Sequence, residues 1–138
     1  MNSRGSASIE MAILMPLFLA MFIAAVVMGR TANAMSAVEL AAYDAARTAS
    51  LARDAVTAST LAHASAEASL SRQGQSCVQL EVAVDTTGFA APIGEPASVR
   101  VEVSCLVSFA DIDLPGVPAD RVVSAEFVSP IDQYRTRA

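Results

Sequence analysis

The feature that most constrains this chain of 138 residues is an apolar run close to its N-terminus. Residues 11–28 carry no charge and are mostly large apolar types. An α-helix of this length extends about 27 Å, because each residue adds about 1.5 Å. That distance is close to the thickness of the hydrocarbon core of a bilayer. The run therefore predicts a membrane-spanning helix, which we place at residues 6–30.

The arginines around the run do not set its orientation, because Arg4 precedes it and Arg30 follows it. Cys77 and Cys105 are the only cysteines in the chain, and both lie after the run. Paired cysteines are typical of oxidising compartments. We therefore expect the residues after the run to be extracytoplasmic, with a disulfide between Cys77 and Cys105.

A cleaved secretory signal is the alternative interpretation of the run. Residues 32–34 read Ala-Asn-Ala, which has the A-x-A pattern of a signal peptidase site, so the mature chain would begin after Ala34. Three features disfavour this interpretation. The run is longer than the roughly 7–15 apolar residues of a typical signal, Glu10 precedes it, and Arg30 stands between it and the cleavage site.

Composition excludes several classes of function. The chain has room for about one domain besides the run. Residues 31–138 carry 13 acidic residues against seven arginines and no lysine, so they offer no basic surface to a nucleic acid. His63 is the only histidine, the cysteines do not form a C-x-x-C pair, and no glycine-rich phosphate loop is present. We expect no enzymatic activity, cofactor, metal or small-molecule substrate.

The most specific motif stands immediately before the apolar run. Residues 4–10 read Arg-Gly-Ser-Ala-Ser-Ile-Glu, with Glu10 five positions after Gly5. An acid at the mouth of a membrane helix is costly, and such acids commonly mark a function or a charge partner. The alternative is an ordinary helix-end acid in the headgroup layer, stabilised by the helix dipole.

Residues 5–17, Gly-Ser-Ala-Ser-Ile-Glu-Met-Ala-Ile-Leu-Met-Pro-Leu, resemble the signature of the TadE-like family of minor pilins in the Tad/Flp type IV pilus system. The resemblance implies a prepilin peptidase site between Gly5 and Ser6, with residues 1–5 as the leader. Glu10 would then be the fifth residue of the mature chain and an assembly residue. A mature start at Ser6, rather than at an aromatic residue, favours a minor subunit over a major one.

The family also has a proline a few residues into the apolar run, which Pro16 matches, and we assign Pro16 to assembly as well. The resemblance implies a structural subunit, single-pass in the bacterial cell membrane, with prepilin peptidase, other pilins, pilus assembly proteins and membrane lipid as partners. Two other functions stay open. One is a secreted or membrane-anchored, disulfide-bonded binding domain with a conventional signal sequence; the other is a single-pass subunit of another envelope complex.

After the apolar run, the sequence predicts an alanine-rich helix over residues 31–73. Residues 31–70 contain 15 alanines and neither glycine nor proline, so helix propensity is high. With the membrane run, one helix could extend from about Ser8 to Arg72, with Gly29 as a hinge and Gly74 as a stop. A stripe at spacings of three and four carries no charge. It comprises Met35, Val38, Ala42, Ala45, Ala49, Ala52, Val56, Ser59, His63, Ala66 and Leu70.

That stripe has two interpretations. It could pack on the protein's own sheet, or small residues could let a helix of another subunit approach closely. One helix could pack in both ways at different positions along its length.

A small β domain is expected over residues 74–138. Apolar and polar residues alternate over 78–85 and 99–104, and a third strand is expected over 121–128, after a turn-rich stretch at 114–118. The alternation puts Cys77 and Cys105 on opposite faces of a regular hairpin, so the disulfide requires Cys77 just outside the ladder or a bulge near Cys105. The expected fold class is α+β and pilin-like, a long helix packed on a three-stranded antiparallel sheet.

Overall fold

The structure is a computed structural model that describes residues 6–111 and 118–134. It contains helices α1 (Ser6–Ser50) and α2 (Ala55–Arg72), followed by strands β1 (Gln79–Asp85), β2 (Ala97–Ser108) and β3 (Asp120–Ile131). The chain divides into two compact units, Met1–Asn33 and Ala34–Ala138. The predicted α+β fold class, with a long N-terminal helix and a three-stranded antiparallel sheet, is confirmed.

The prediction of one helix continuing to Arg72 is wrong, because α1 ends at Ser50 and α2 begins at Ala55. Asp54 is the N-cap of α2: its backbone is extended, and its carboxylate accepts hydrogen bonds from the Thr57 amide at 2.8 Å and from the Thr57 hydroxyl at 2.7 Å. An aspartate at this position satisfies amides that a helix start leaves without partners. The two helices therefore form a hairpin.

The predicted stop at Gly74 is confirmed. Gly74 has φ of +67°, in the left-handed region that favours glycine. Its amide donates to the Ser71 carbonyl at 3.0 Å, and the Gln75 amide donates to the Leu70 carbonyl at 3.0 Å. These two bonds form a Schellman motif, which satisfies the last carbonyls of α2.

Polar side chains join the two helices alongside their alanines. Asp44 accepts a hydrogen bond from the Ser69 hydroxyl at 2.8 Å and pairs with the Arg72 guanidinium at 3.1 Å. The hydroxyls of Thr48 and Ser65 lie 3.2 Å apart. The pairs run in opposite directions along the two helices, so α1 and α2 are antiparallel over this stretch.

The sheet is a meander with the strand order β1-β2-β3, and both pairings are antiparallel. Cys105 lies opposite Leu80 on one side and Val123 on the other. β3 extends three residues beyond the predicted end at Val128. The turn predicted at residues 114–118 lies outside the described residues except for Pro118.

One face of the sheet forms the core of the unit Ala34–Ala138. Along β2 the buried positions alternate with exposed ones, which is the pattern of a sheet covered on a single face. The buried β2 residues are Val99, Val101, Val103, Cys105 and Val107. The helices contribute mainly alanines, whose small side chains allow close approach; these are Ala34, Ala37, Ala41, Ala42, Ala45, Ala46, Ala49, Ala58, Ala62 and Ala66.

The predicted stripe is buried only in part. In α1 its members Val38, Ala42, Ala45 and Ala49 are buried, and α1 packs on the protein's own sheet, where the Ser129 hydroxyl donates to the Ser50 hydroxyl at 3.0 Å. In α2 its members Ala66 and Leu70 are buried, whereas Val56 and His63 are exposed. Three α2 residues off the stripe are buried as well: Ala58, Ala62 and Ser69. Because the helix breaks between α1 and α2, the buried positions of α2 do not continue the spacing of those in α1. A single periodicity over both helices therefore predicts only some of them.

The predicted disulfide between Cys77 and Cys105 is present, with Cα atoms 5.3 Å apart. Cys77 lies two residues before β1, outside the regular ladder, as one of the two expected geometries requires. Cys105 is fully buried in the middle of β2. The bond fastens the segment after α2 to the central strand.

Candidate membrane and assembly segment

The first part of α1 exposes a continuous surface of large apolar side chains. These are Ile9, Met11, Ile13, Leu14, Met15, Leu17, Phe18, Leu19, Met21, Phe22 and Met28, each between 43 and 71% exposed. Burial of one such side chain is worth about 1.5–3 kcal/mol. A surface of this size is stable only when lipid or other protein covers it.

Among the described residues, α1 is the one helix that is long and apolar enough to cross a membrane. The candidate span is Ile9–Ser50, with a mean hydropathy of 2.6 in its most apolar window, and none of that window is buried by the chain itself. The apolar span predicted at residues 6–30 therefore lies within a single uninterrupted helix.

Of the two predicted processing residues, Gly5 lies outside the described residues and Ser6 is the first residue of α1. Glu10 is on the same helix and is exposed. Four helical residues rise about 6 Å, so Glu10 stands about one turn from Ser6 on the same side of the helix. If the chain is cut before Ser6, the new amine and the Glu10 carboxylate are neighbours.

Pro16 lies inside α1, and the helix continues through it. Proline has no amide hydrogen, so Pro16 cannot donate the usual bond to the carbonyl of Ala12, four residues earlier. A membrane helix tolerates this loss when neighbouring groups supply another donor. Pro16 therefore leaves the carbonyl of Ala12 without its usual helical donor.

The assigned residues fall in two places. Ser6, Glu10 and Pro16 belong to the N-terminal part of α1, in the unit Met1–Asn33, whereas the disulfide lies in the unit Ala34–Ala138. Processing and assembly are predicted for the first group from the sequence, and the second group joins two segments of the folded unit.

Sequence reasoning missed the helical hairpin and a groove that lies beside it. The hairpin had a signal, because Asp54 is of a residue type that favours the N-cap of a helix. The groove had none, since it forms between residues of α1 and β3 that are far apart in the sequence. It is lined by Met35, Glu39, Tyr43, Ser124, Ala125, Glu126 and Phe127.

Taken together, an exposed apolar helix near the N-terminus and a disulfide-bonded α+β unit define a class of small proteins with a candidate membrane anchor. Comparison with known families makes the class more specific. Residues 5–47 match the model of the family described as TadE-like protein, so the predicted resemblance is confirmed for this segment, which is TadE-like. The match indicates a protein associated with the Tad pilus machinery. No curated protein and no solved structure matches the chain significantly.

Proposed function

We propose that this protein is a minor pilin, a structural rather than catalytic subunit that is inserted in the bacterial membrane and assembles into a Tad/Flp-type pilus or a related secretion machine. The observation that carries the proposal is the TadE-like match over residues 5–47, which covers both the Gly5–Glu10 motif and the uncovered apolar part of α1. In this proposal, membrane lipid covers that part before assembly, and the apolar helices of other subunits cover it afterwards.

Processing by prepilin peptidase would prepare α1 for assembly. Cleavage between Gly5 and Ser6 removes residues 1–5 and leaves a positively charged amine at the start of a helix. The amine sits at the end of the helix where the dipole is already positive, so a nearby carboxylate is needed to offset it. Glu10 supplies one from the same chain or from a neighbouring subunit.

Between subunits, the Glu10 carboxylate would pair with the Ser6 amine of the next chain and fix the axial position of one helix against another. Such a pair contributes little in water and far more once apolar surfaces exclude water. Loss of one member leaves the other as an unpaired buried charge, which costs about 3–5 kcal/mol. The pair would therefore decide whether a subunit enters at the correct height.

The mass of the protein taken from its native membrane tests the processing step. We expect intact mass and N-terminal sequencing to give a chain that begins at Ser6 and retains the whole of α1. A chain that still begins at Met1 would contradict the processing step and would favour a single-pass subunit of another envelope complex.

One observation favours a second function, a secreted binding domain released by a conventional signal peptidase. The compact unit begins at Ala34, so a cut after the Ala-Asn-Ala sequence would leave almost all of that unit in place. Against it, the family match continues through this site to residue 47, and Ala34 is itself buried in the core. A mature chain that begins at Met35 would establish the secreted domain and overturn the minor pilin.

A further inference from the structure

An open groove runs between α1 and the edge of the sheet within the unit Ala34–Ala138. On one side, Met35, Glu39 and Tyr43 stand four residues apart and so share one face of α1. On the other side lie four consecutive residues of β3, Ser124–Ala125–Glu126–Phe127. The groove has a volume of about 540 Å³, within the range of protein binding sites.

The side of the groove formed by β3 is the edge of the sheet. β3 is the last strand in the order β1-β2-β3, and no further strand of the described residues pairs with its outer side. Successive side chains of a strand point to opposite faces of the sheet. Because the four lining residues of β3 are consecutive, both faces of the strand contribute to the groove, and the strand presents its backbone edge to it. An edge of this kind has amide and carbonyl groups ready to pair with another extended chain.

The lining of the groove combines apolar surface with negative charge. Tyr43 and Phe127 meet edge to face, with ring centroids 4.8 Å apart, and each remains 38% exposed. The Glu39 side chain is exposed, with no ion pair or hydrogen bond to its carboxylate among the described residues. Glu126 is bonded to Arg100 at 3.1 Å, so Glu39 is the carboxylate open to a new cation.

We propose that this groove is a docking site for an extended, positively charged segment of another protein, which adds to β3 as a fourth strand. Backbone hydrogen bonds to the strand edge would supply affinity, and side chains of alternate residues would supply specificity, as in other cases of strand addition. A lysine or arginine of the segment pairs with Glu39 and lies against the aromatic rings, which attract cations.

A second copy of this chain is a poorer occupant on grounds of charge. Residues 31–138 carry 13 acids against seven arginines, so two copies of this region repel each other. Antiparallel pairing of two β3 edges would also bring two Glu126 side chains onto one short ladder, where like charges are destabilising. A cationic partner removes both penalties. The proposal does not depend on the pilin function, because it rests on the groove alone.

Binding of a synthetic probe to the full chain in zwitterionic detergent micelles tests the proposal. The probe is a capped seven-residue peptide of alternating valine and lysine. Its controls are the same peptide with glutamate in place of lysine and the same peptide with a methylated backbone. We expect saturable binding of the lysine peptide, at least tenfold weaker binding of both controls, and slower amide hydrogen exchange confined to Ser124–Phe127 and its neighbours.

Two variants with the same charge change locate the site. Glu39→Arg is expected to raise the Kd of the lysine peptide at least tenfold. Glu67→Arg, at an exposed position of α2 outside the groove, is expected to change this Kd less than twofold. Circular dichroism of both variants checks that they fold. Equal effects of the two substitutions, no binding, or slowed exchange elsewhere would overturn the proposal. Concentration-dependent protection of Ser124–Phe127 without peptide would also overturn it, by making a second copy the occupant.

Discussion

The two parts of α1 use apolar residues in opposite ways. The part before Asn33 exposes leucine, methionine, isoleucine and phenylalanine, whereas the part from Ala34 to Ser50 buries alanines completely. In each part of α1, the size of the apolar side chains suits the surface that covers them. Lipid or another subunit adapts to large side chains, but a second helix and a sheet of the same chain come close only over small ones. In α1 the continuous surface of large exposed residues before Asn33 therefore indicates an external partner, and the buried alanines after it indicate internal packing.

The largest effect expected from this comparison is confined to the first part of α1. Glu10→Gln keeps the shape of the side chain but leaves the Ser6 amine without its charge partner, and by the cost given above should reduce incorporation into pili more than a hundredfold. Cleavage, membrane insertion and the melting temperature of the unit Ala34–Ala138 should not change. Pilus yield by electron microscopy and co-purification with other pilins measure the effect.

Glu67→Gln is the matched control for that substitution, because it removes an acid from an exposed site on α2. It should leave piliation normal. Normal piliation by the Glu10→Gln variant as well would show that Glu10 is an ordinary helix-end acid.

The next effect should appear only in the disulfide-bonded unit. Cys77→Ala removes the bond, keeps the buried Cys105 sulfur in the core, and should lower the free energy of unfolding by about 3.6 kcal/mol, the chain-entropy value for a loop of 28 residues. Thermal unfolding of the full chain in detergent, with and without reductant, measures this change. Reductant should destabilise the wild type to the level of the variant and leave the variant unaffected. Equal stability of wild type and variant without reductant would contradict a stabilising bond.

A pair of identical substitutions tests the comparison directly. Ala45→Leu places a large side chain where α1 is fully buried, and overpacking should lower the free energy of unfolding of the unit by about 1–3 kcal/mol. Ala24→Leu makes the same change where α1 is exposed, and should leave that free energy unchanged. Chemical denaturation followed by circular dichroism gives both values. Equal destabilisation by the two variants would show that the parts of α1 do not differ as described.

The smallest effect depends on pH and concerns the start of α2. Hydrogen bonds from the Thr57 amide, and then from its hydroxyl, hold the pKa of Asp54 below its usual value. The charged cap therefore stabilises the fold fully above about pH 4 and loses this contribution as the pH falls through the lowered pKa. Asp54→Asn keeps a good N-cap without titrating.

The difference in melting temperature between wild type and the Asp54→Asn variant should shrink as the pH is lowered from 7 to 2. The change should be a few degrees at most. A difference that stays constant over this range would show that the charge of Asp54 does not contribute.

Local patterns predicted the fold to the extent that local forces decide it. Alternation located β1 and β2, glycine located the end of α2, and the apolar run located the exposed part of α1. The break between α1 and α2 was not predicted, because residues 51–54 contain neither glycine nor proline. Contacts distant in sequence, such as Ser50 with Ser129, support the turn there. The groove also depends on contacts between residues that are distant in sequence, and a short motif cannot predict such contacts.

The order of the strands also bears on how the unit Ala34–Ala138 is completed as it folds. β3 returns to α1 through the contacts of Ser50 with Ser129 and of Tyr43 with Phe127. β3 is the last of the described elements, so a chain that emerges from its N-terminus forms these contacts only after the other elements have appeared. Until then, the alanines of α1 and the valines of β2 are only partly buried. Contacts of such long sequence separation form slowly, and unfinished cores of this kind aggregate. The interval between emergence of β2 and closure by β3 is therefore when this protein most needs a chaperone.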